Sequence, residues 1–384
     1  MWILFKKIGR LNWGIMLLMC GLLVAGLMAI YSATYVSETA EFREAFGKQM
    51  RMVPIGFIVF FIIALVDYEF WIKLSIPIFS VTLVLLILVL FFGKVVNGAR
   101  SWFLIAGFGI QPAEFAKISF ILLIALILPI MKEKFEDLPL FCLSMGLTLV
   151  PIFVIMRQPD LGSSAVFIPI VFLSLYMLGI KNRYIMPFLA AGVIGFAALN
   201  IFGSKIIEME KPFPGMKQYQ MNRIKTFIDP ELDPKNSGWT LNQSLIAIGS
   251  GGFFGKGYLQ GTQNVRGFIG RNIAFTDFIF AVIGEETGFV GGSIIIMGEV
   301  FLVILALHVA SKSRDPGGCM LATGVAALFF THFFINIGMT IKVVPITGIP
   351  LPFISFGGSF LLVCMSGMGL VQSVWIHRKP LERN

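Results

Sequence analysis

About ten stretches of this chain are long and apolar enough to cross a lipid bilayer, and their repetition constrains the fold more than any other feature. They cover roughly 11–33, 52–66, 74–92, 113–130, 138–156, 163–178, 185–202, 278–307, 319–341 and 353–375. A spanning helix needs about 20 predominantly apolar residues. In hydrocarbon every backbone N–H and C=O must find its partner within the fold. The expected fold is therefore an all-α integral membrane protein with about ten transmembrane helices, built as one polytopic domain over residues 1–384.

The charge content agrees. Only 13% of the residues are charged, where soluble domains carry about 25%. So few charges cannot cover a water-exposed globule, which excludes a cytosolic enzyme, a disulfide-stapled secreted domain and a disordered chain. Cys20, Cys142, Cys319 and Cys364 all lie within apolar runs and read as small core residues, without thiol-pair or metal spacing. The net charge of +9 is gathered in short clusters between the apolar runs. That placement sets topology and forms no continuous basic stripe for nucleic acid, so no nucleic-acid partner is expected.

Lys6, Lys7 and Arg10 precede an apolar run too long for a cleavable signal peptide, so it is expected to remain as an anchor. An even number of spans puts both termini on one side. The Lys and Arg bias of the alternate loops places that side in the cytoplasm. The expected location is the cytoplasmic (inner) membrane. Residues 203–277, between the seventh and eighth runs, then form a long extracytoplasmic loop rich in Pro, Gly and basic residues. Within it, 239–248 has a helical alternation of polar and apolar residues and reads as an interfacial helix lying on the membrane.

Charges inside or at the ends of apolar runs are costly and mark candidate sites. Glu114 and Lys117 follow Gln111-Pro112 and share one helical face. They form either a self-neutralising ion pair or the charged wall of an outward-facing cavity with Gln111 at its mouth. Asp160 lies in a Pro- and Gly-containing turn and either caps the next helix or points into the same cavity. Asp277 stands where the long loop meets an apolar helix. There it is either a helix cap or a partly desolvated carboxylate with a pKa suited to accepting a proton. Of Glu285 and Glu286, one can be structural and the other can face the bundle. The stretch 248–257 has the glycine content of a phosphate cradle, with Lys256 beside it, although its spacing is not that of a Walker A loop. His308, His332 and His377 are scattered and suggest no metal cluster. From the residues alone, the site is an outward-facing polar cavity suited to an anionic substrate arriving from the lipid phase.

Taken together, these motifs resemble the SEDS family of cell-wall proteins over nearly the whole chain. The resemblance rests on Asn97-Gly98-Ala99-Arg100-Ser101-Trp102, Gln111-Pro112-Ala113-Glu114-Phe115-Ala116-Lys117, Gln158-Pro159-Asp160-Leu161-Gly162, Thr276-Asp277-Phe278 with Gly284-Glu285-Glu286, and Pro350-Leu351-Pro352-Phe353. The long loop is most similar to the version in the family's cell-elongation branch. The resemblance implies a peptidoglycan glycosyltransferase that polymerises lipid II at the outer face of the membrane. A sugar 4-hydroxyl attacks and the lipid pyrophosphate leaves. It places the family's essential aspartate on Asp277, its glutamate and lysine on Glu114 and Lys117, its turn aspartate on Asp160 and a loop arginine on Arg223. It also implies a class B penicillin-binding protein as transpeptidase partner, and a divalent cation (Mg or Mn) that Asp277 would help to hold, with no organic cofactor. Lys117, Arg223 and Lys256 become candidates to offset pyrophosphate charge. The family commonly has a Pro-Glu-x-His-like stretch before the aspartate. Here Gly270-Arg271-Asn272-Ile273-Ala274-Phe275 stands instead, so no histidine role is carried over. A lipid II flippase and a non-catalytic scaffold are the competing readings.

Overall fold

The computed structural model describes residues 7–378 apart from 36–39, 97–98, 106–107, 210–211 and 213–217. The chain opens with α1 (Trp13–Tyr35), α2 (Ala40–Leu65), α3 (Tyr68–Lys73) and α4 (Ser75–Phe92). Three short strands follow: β1 (Lys94–Val96), β2 (Ala99–Ile105) and β3 (Phe108–Ile110). Next come α5 (Pro112–Lys132), α6 (Asp137–Arg157), α7 (Leu161–Ala165), α8 (Phe167–Met177) and α9 (Asn182–Ile201). The long connecting segment holds α10 (Gly203–Glu208), α11 (Gln218–Ile228), a 3-10 turn (Pro230–Leu232), α12 (Ser237–Ser250), α13 (Thr262–Val265) and α14 (Arg271–Ala274). The chain closes with α15 (Ile279–Ser311), α16 (Pro316–Thr340) and α17 (Gly358–Ile376).

Among the described residues nine helices are long and apolar enough to cross a membrane: α1, α2, α4, α5, α6, α9, α15, α16 and α17. The remaining expected run, 163–178, is shorter and broken, with α7 and α8 meeting at Val166. Pro169 accounts for the break. Its ring lacks an N–H and crowds the carbonyl four residues back, at Ala165, where α7 ends.

The bundle is layered by burial. The apolar windows of α17, α16 and α5 are 83%, 78% and 67% buried, whereas that of α9 is 6% buried. Small residues permit the close packing at the centre. A Cβ at Gly324 of α16 would stand 2.7 Å from Ile121 of α5, and one at Gly369 of α17 would meet the Phe60 carbonyl of α2 at 3.0 Å. The outer faces expose Leu17, Ile58, Phe92 and Val193, an apolar belt suited to lipid.

The three-stranded antiparallel sheet was not expected from the apolar pattern. It lies before α5. Ser359 of α17 holds its last strand by donating to the Gly109 carbonyl at 2.7 Å. In the long segment, α12 covers the expected helix, but its inner face is docked on the bundle. Leu241, Ser244 and Ala247 are buried, and the Ser244 hydroxyl donates to the Thr340 carbonyl of α16 at 2.9 Å. Trp239 and Ile246 remain exposed on the other face. The segment also contains α11, a polar helix that carries Arg223.

Candidate active site

The loop between α16 and α17, residues 341–357, organises the site. Its Thr347-Gly348 peptide is the meeting point of three other elements. The Arg223 guanidinium of α11 donates to the Thr347 carbonyl at 3.2 Å. Gly162 of α7 packs so closely that a Cβ would lie 2.9 Å from the same oxygen. Gly348, in the left-handed region at φ +76°, faces the Asp277 carboxylate, whose Oδ2 would be 3.3 Å from an added Cβ. A glycine fits here because it tolerates both the dihedral and the close approach.

Asp277 is locked from behind. Asn336 of α16 donates to the Asp277 carbonyl at 2.9 Å and to the Ile349 carbonyl at 2.7 Å, tying the aspartate's backbone to the loop. Ser355 donates to the Thr276 carbonyl at 2.6 Å, and Phe356 N–H to the Phe275 carbonyl at 2.9 Å. The side chain itself is half-buried. Loss of water around it pushes the carboxyl pKa up to about 6; Arg223 pulls it down and Asp160 pushes it further up. Asp277, Arg223 and Asp160 therefore share one electrostatic neighbourhood. Gln111 joins it by donating from Nε2 to Asp160 Oδ2 at 3.0 Å. Asp160 also caps α7, its Oδ1 accepting from Ser163 N–H at 3.0 Å. The cap reading of Asp160 thus holds, and the same carboxylate also faces Gln111. The Thr347 hydroxyl, which the sequence did not single out, has no partner among the described residues.

Glu114 and Lys117 form a second group. They are 3% and 0% exposed, and Lys117 Nζ lies 2.6 Å from Glu114 Oε1. They do not form the wall of an open cavity, as one reading of the sequence had it. Instead they are an interior ion pair, because at three residues' spacing one turn of α5 brings their side chains together within the packed centre. Lys117 Nζ also lies 3.1 Å from Nε2 of His332 on α16. His332 is itself fully buried, with Nδ1 3.1 Å from the Pro350 carbonyl and its ring stacked on Phe360 at 4.7 Å.

Lys256 is engaged elsewhere. Its Nζ pairs with Glu285 Oε1 at 2.6 Å and donates to Thr262 at 2.8 Å. The glycine stretch around it does not form an anion cradle. The N–H groups of Lys256 and Gly257 donate to the Glu285 and Glu286 carbonyls, both at 3.0 Å. In return, Phe289 N–H donates to Gly252 O at 2.9 Å and Val290 N–H to Phe253 O at 3.1 Å. These bonds replace those lost where α15 kinks at Gly288 (φ 66°, ψ −161°). The glycines are required by contact: a Cβ at Gly255 would lie 2.1 Å from the Glu286 carbonyl. Glu285 also accepts from Gln263 N–H at 3.0 Å, and Glu286 accepts from the Ser32 hydroxyl. Both glutamates pin the long segment to the bundle.

Among the described residues no three His, Cys, Asp or Glu side chains are grouped to hold a metal ion. Magnesium-type ions are commonly bound by one or two carboxylates together with substrate phosphates and water. Asp277 and Asp160 supply that many.

The model of the cell cycle protein family FtsW/RodA/SpoVE matches residues 13–380. Peptidoglycan glycosyltransferase RodA of Treponema pallidum is 32% identical over 433 residues, covering 96% of this chain and 98% of the relative. Peptidoglycan glycosyltransferase MrdB of Escherichia coli K12 is 32% identical over 374 residues, covering 94% of each. Among solved structures, one chain covers 96% of this chain and 98% of itself at 25% identity with a TM-score of 0.75; that work describes how a peptidoglycan synthase complex coordinates polymerization and crosslinking. The rod shape determining protein RodA of Thermus thermophilus matches at a TM-score of 0.69 and 23% identity, over 96% of this chain and 98% of its own, a likeness of fold.

Proposed function

The chain belongs to the FtsW/RodA/SpoVE family, and from that premise we propose that its Asp277 is the general base of glycan polymerisation. The protein is a multi-pass membrane protein and a peptidoglycan glycosyltransferase. The substrate we assign is lipid II, entering from the outer leaflet. Both termini then face the cytoplasm, and the 203–277 segment lies on the outer side.

The observation that carries the reading is the seating of Asp277. Its carboxylate is half-buried, its pKa is raised to about 6, and Arg223 and Asp160 lie within electrostatic reach. A carboxylate with that pKa is largely ionised at neutral pH yet basic enough to take a proton from a sugar hydroxyl as it attacks. Arg223, beside Asp277 and bonded to the Thr347 carbonyl, would offset charge on the departing pyrophosphate, and preorganised charge of this kind is often the largest catalytic contribution. The Thr347 hydroxyl, which has no partner among the described residues, and the Gln111 amide, which bonds Asp160, are candidates to orient sugar or phosphate. Asp277 and Asp160 would hold a divalent cation together with the substrate's phosphates. Bound there, such an ion would neutralise pyrophosphate charge. Lys256 has a structural part, since its charge is spent on Glu285.

The partner we assign is a transpeptidase of the class B penicillin-binding type; a structural neighbour from a peptidoglycan synthase complex supports this. Labelled lipid II polymerised by purified protein tests the base. Asp277→Asn should abolish glycan chains while the protein stays folded in detergent. Chains made at the wild-type rate would remove Asp277 from the role.

A further inference from the structure

His332 occupies an unusual position in this molecule. It is fully buried on α16 and makes two polar contacts, to Lys117 Nζ and to the Pro350 carbonyl, both at 3.1 Å. The two partners fix its chemistry. An ammonium can only donate and a carbonyl can only accept. Nδ1 therefore carries the hydrogen and donates to Pro350, while the Nε2 lone pair accepts from Lys117. Lys117 in turn donates to Glu114 Oε1 at 2.6 Å. The result is a directed chain, Lys117 between Glu114 and His332, ending on the loop that bears Gly348. Two residues before Pro350, that loop packs against the Asp277 carboxylate.

We propose that His332 is a positioning residue for the glycosyl-transfer site, and that Glu114 and Lys117 act through it, without contact to substrate. The inference rests on Asp277 being the base. Phe360, stacked on the imidazole at 4.7 Å, holds the ring plane. Asn336 fastens the same loop one residue away, at Ile349, and also fastens the Asp277 backbone. The loop is thus held at two points by one face of α16, a turn apart, and of these two only His332 contacts a charged pair. A rigid backbone behind the base matters because a displacement of about 1 Å in a catalytic group can cost about 100-fold in rate. The interior position of Glu114 and Lys117 is otherwise costly, since an ion pair taken out of water repays its desolvation only with excellent geometry and further hydrogen bonds. His332 supplies one of those bonds.

The test uses the full-length membrane protein and labelled lipid II. His332→Phe keeps the ring and its stacking but removes both hydrogen bonds. It should lower kcat by about 10- to 100-fold with KM nearly unchanged, and should move the acidic limb of the pH–rate profile. His332→Asn keeps a donor near Pro350, and should recover more of kcat than His332→Gln, which can face only Lys117. Lys117→Met combined with His332→Phe should cost no more than the worse single variant. A folded His332→Phe protein with wild-type kcat and pH profile overturns the proposal. If Asp277→Ala remains active as well, the base assignment has failed; if Asp277→Ala is dead, only the positioning inference has. Should His332→Phe not fold, 15N NMR of the histidines in the wild-type protein decides. A neutral ring protonated at Nδ1 from pH 6 to 8 supports the proposal, and an imidazolium or an Nε2-protonated ring contradicts it.

Discussion

At the scale of single residues, the site is set by how few charges the chain carries and where each is held. The desolvation of Asp277 raises its pKa to about 6, Arg223 lowers it and Asp160 raises it. Turnover should therefore fall about tenfold per pH unit below about 6, because the protonated carboxyl cannot accept a proton. Arg223→Gln should move that limb to higher pH and Asp160→Asn to lower pH, read from the pH dependence of single-turnover rates. The same shift bears on stability. A carboxyl whose folded pKa lies above its unfolded value stabilises the fold while protonated, below about 4, and loses that contribution as pH rises through about 6. Asp277→Asn should hence raise the midpoint of thermal unfolding at pH 8 more than at pH 4, even as it removes activity. Asp277, Asp160 and Gln111 stood out in the sequence because polar residues at the ends of apolar runs need a reason, whereas Arg223, inside the long loop, was marked only by the family resemblance. His332 was not legible. A lone histidine in an apolar helix reads as packing, and its partners lie 215 and 18 residues away.

At the scale of elements, close backbone approach explains what composition suggested was a ligand site. The glycine stretch 248–257 is a docking edge for the kinked α15, with Gly255 against Glu286 and Gly251 against Gly284. Glycine content alone cannot separate a loop that receives phosphate from one that receives another backbone. Gly255→Ala should destabilise the protein by at least about 2 kcal/mol, both because φ is +81° and because the carbonyl would clash. Thermal unfolding in detergent would register the loss. Glu299 on α15 offers the opposite case. It is fully buried and neither carboxyl oxygen has a partner among the described residues. Glu299→Leu should leave stability unchanged or raise it by about 1–3 kcal/mol, since it removes an unpaired polar group. A drop in unfolding temperature would mean that Glu299 has a partner in the membrane. The small sheet was hidden for a different reason. Its strands are three to seven residues long and sit between two dominant apolar runs, although Asn97-Gly98, a strong hairpin dipeptide, was visible between β1 and β2.

At the scale of the molecule, the sequence predicts the architecture well because membrane insertion and bundle packing leave few options. Each expected run corresponds to a helix, and only the α7–α8 segment falls short, where Pro169 interrupts it. What the apolar pattern could not convey is which spans are central. The small residues of α16 and α17 place them in the middle, and the loop between them gathers contacts from Gly162 of α7, Arg223 of α11, Asn336 of α16 and residues 275–277. The fold therefore brings residues from distant parts of the chain to one end of the bundle. The most direct test of this account is polymerisation of labelled lipid II by purified wild-type and Asp277→Asn protein, the variant being no less thermally stable than the wild type. The account predicts that the variant's rate falls by about 100-fold or more. Glycan chains formed at the wild-type rate would contradict it.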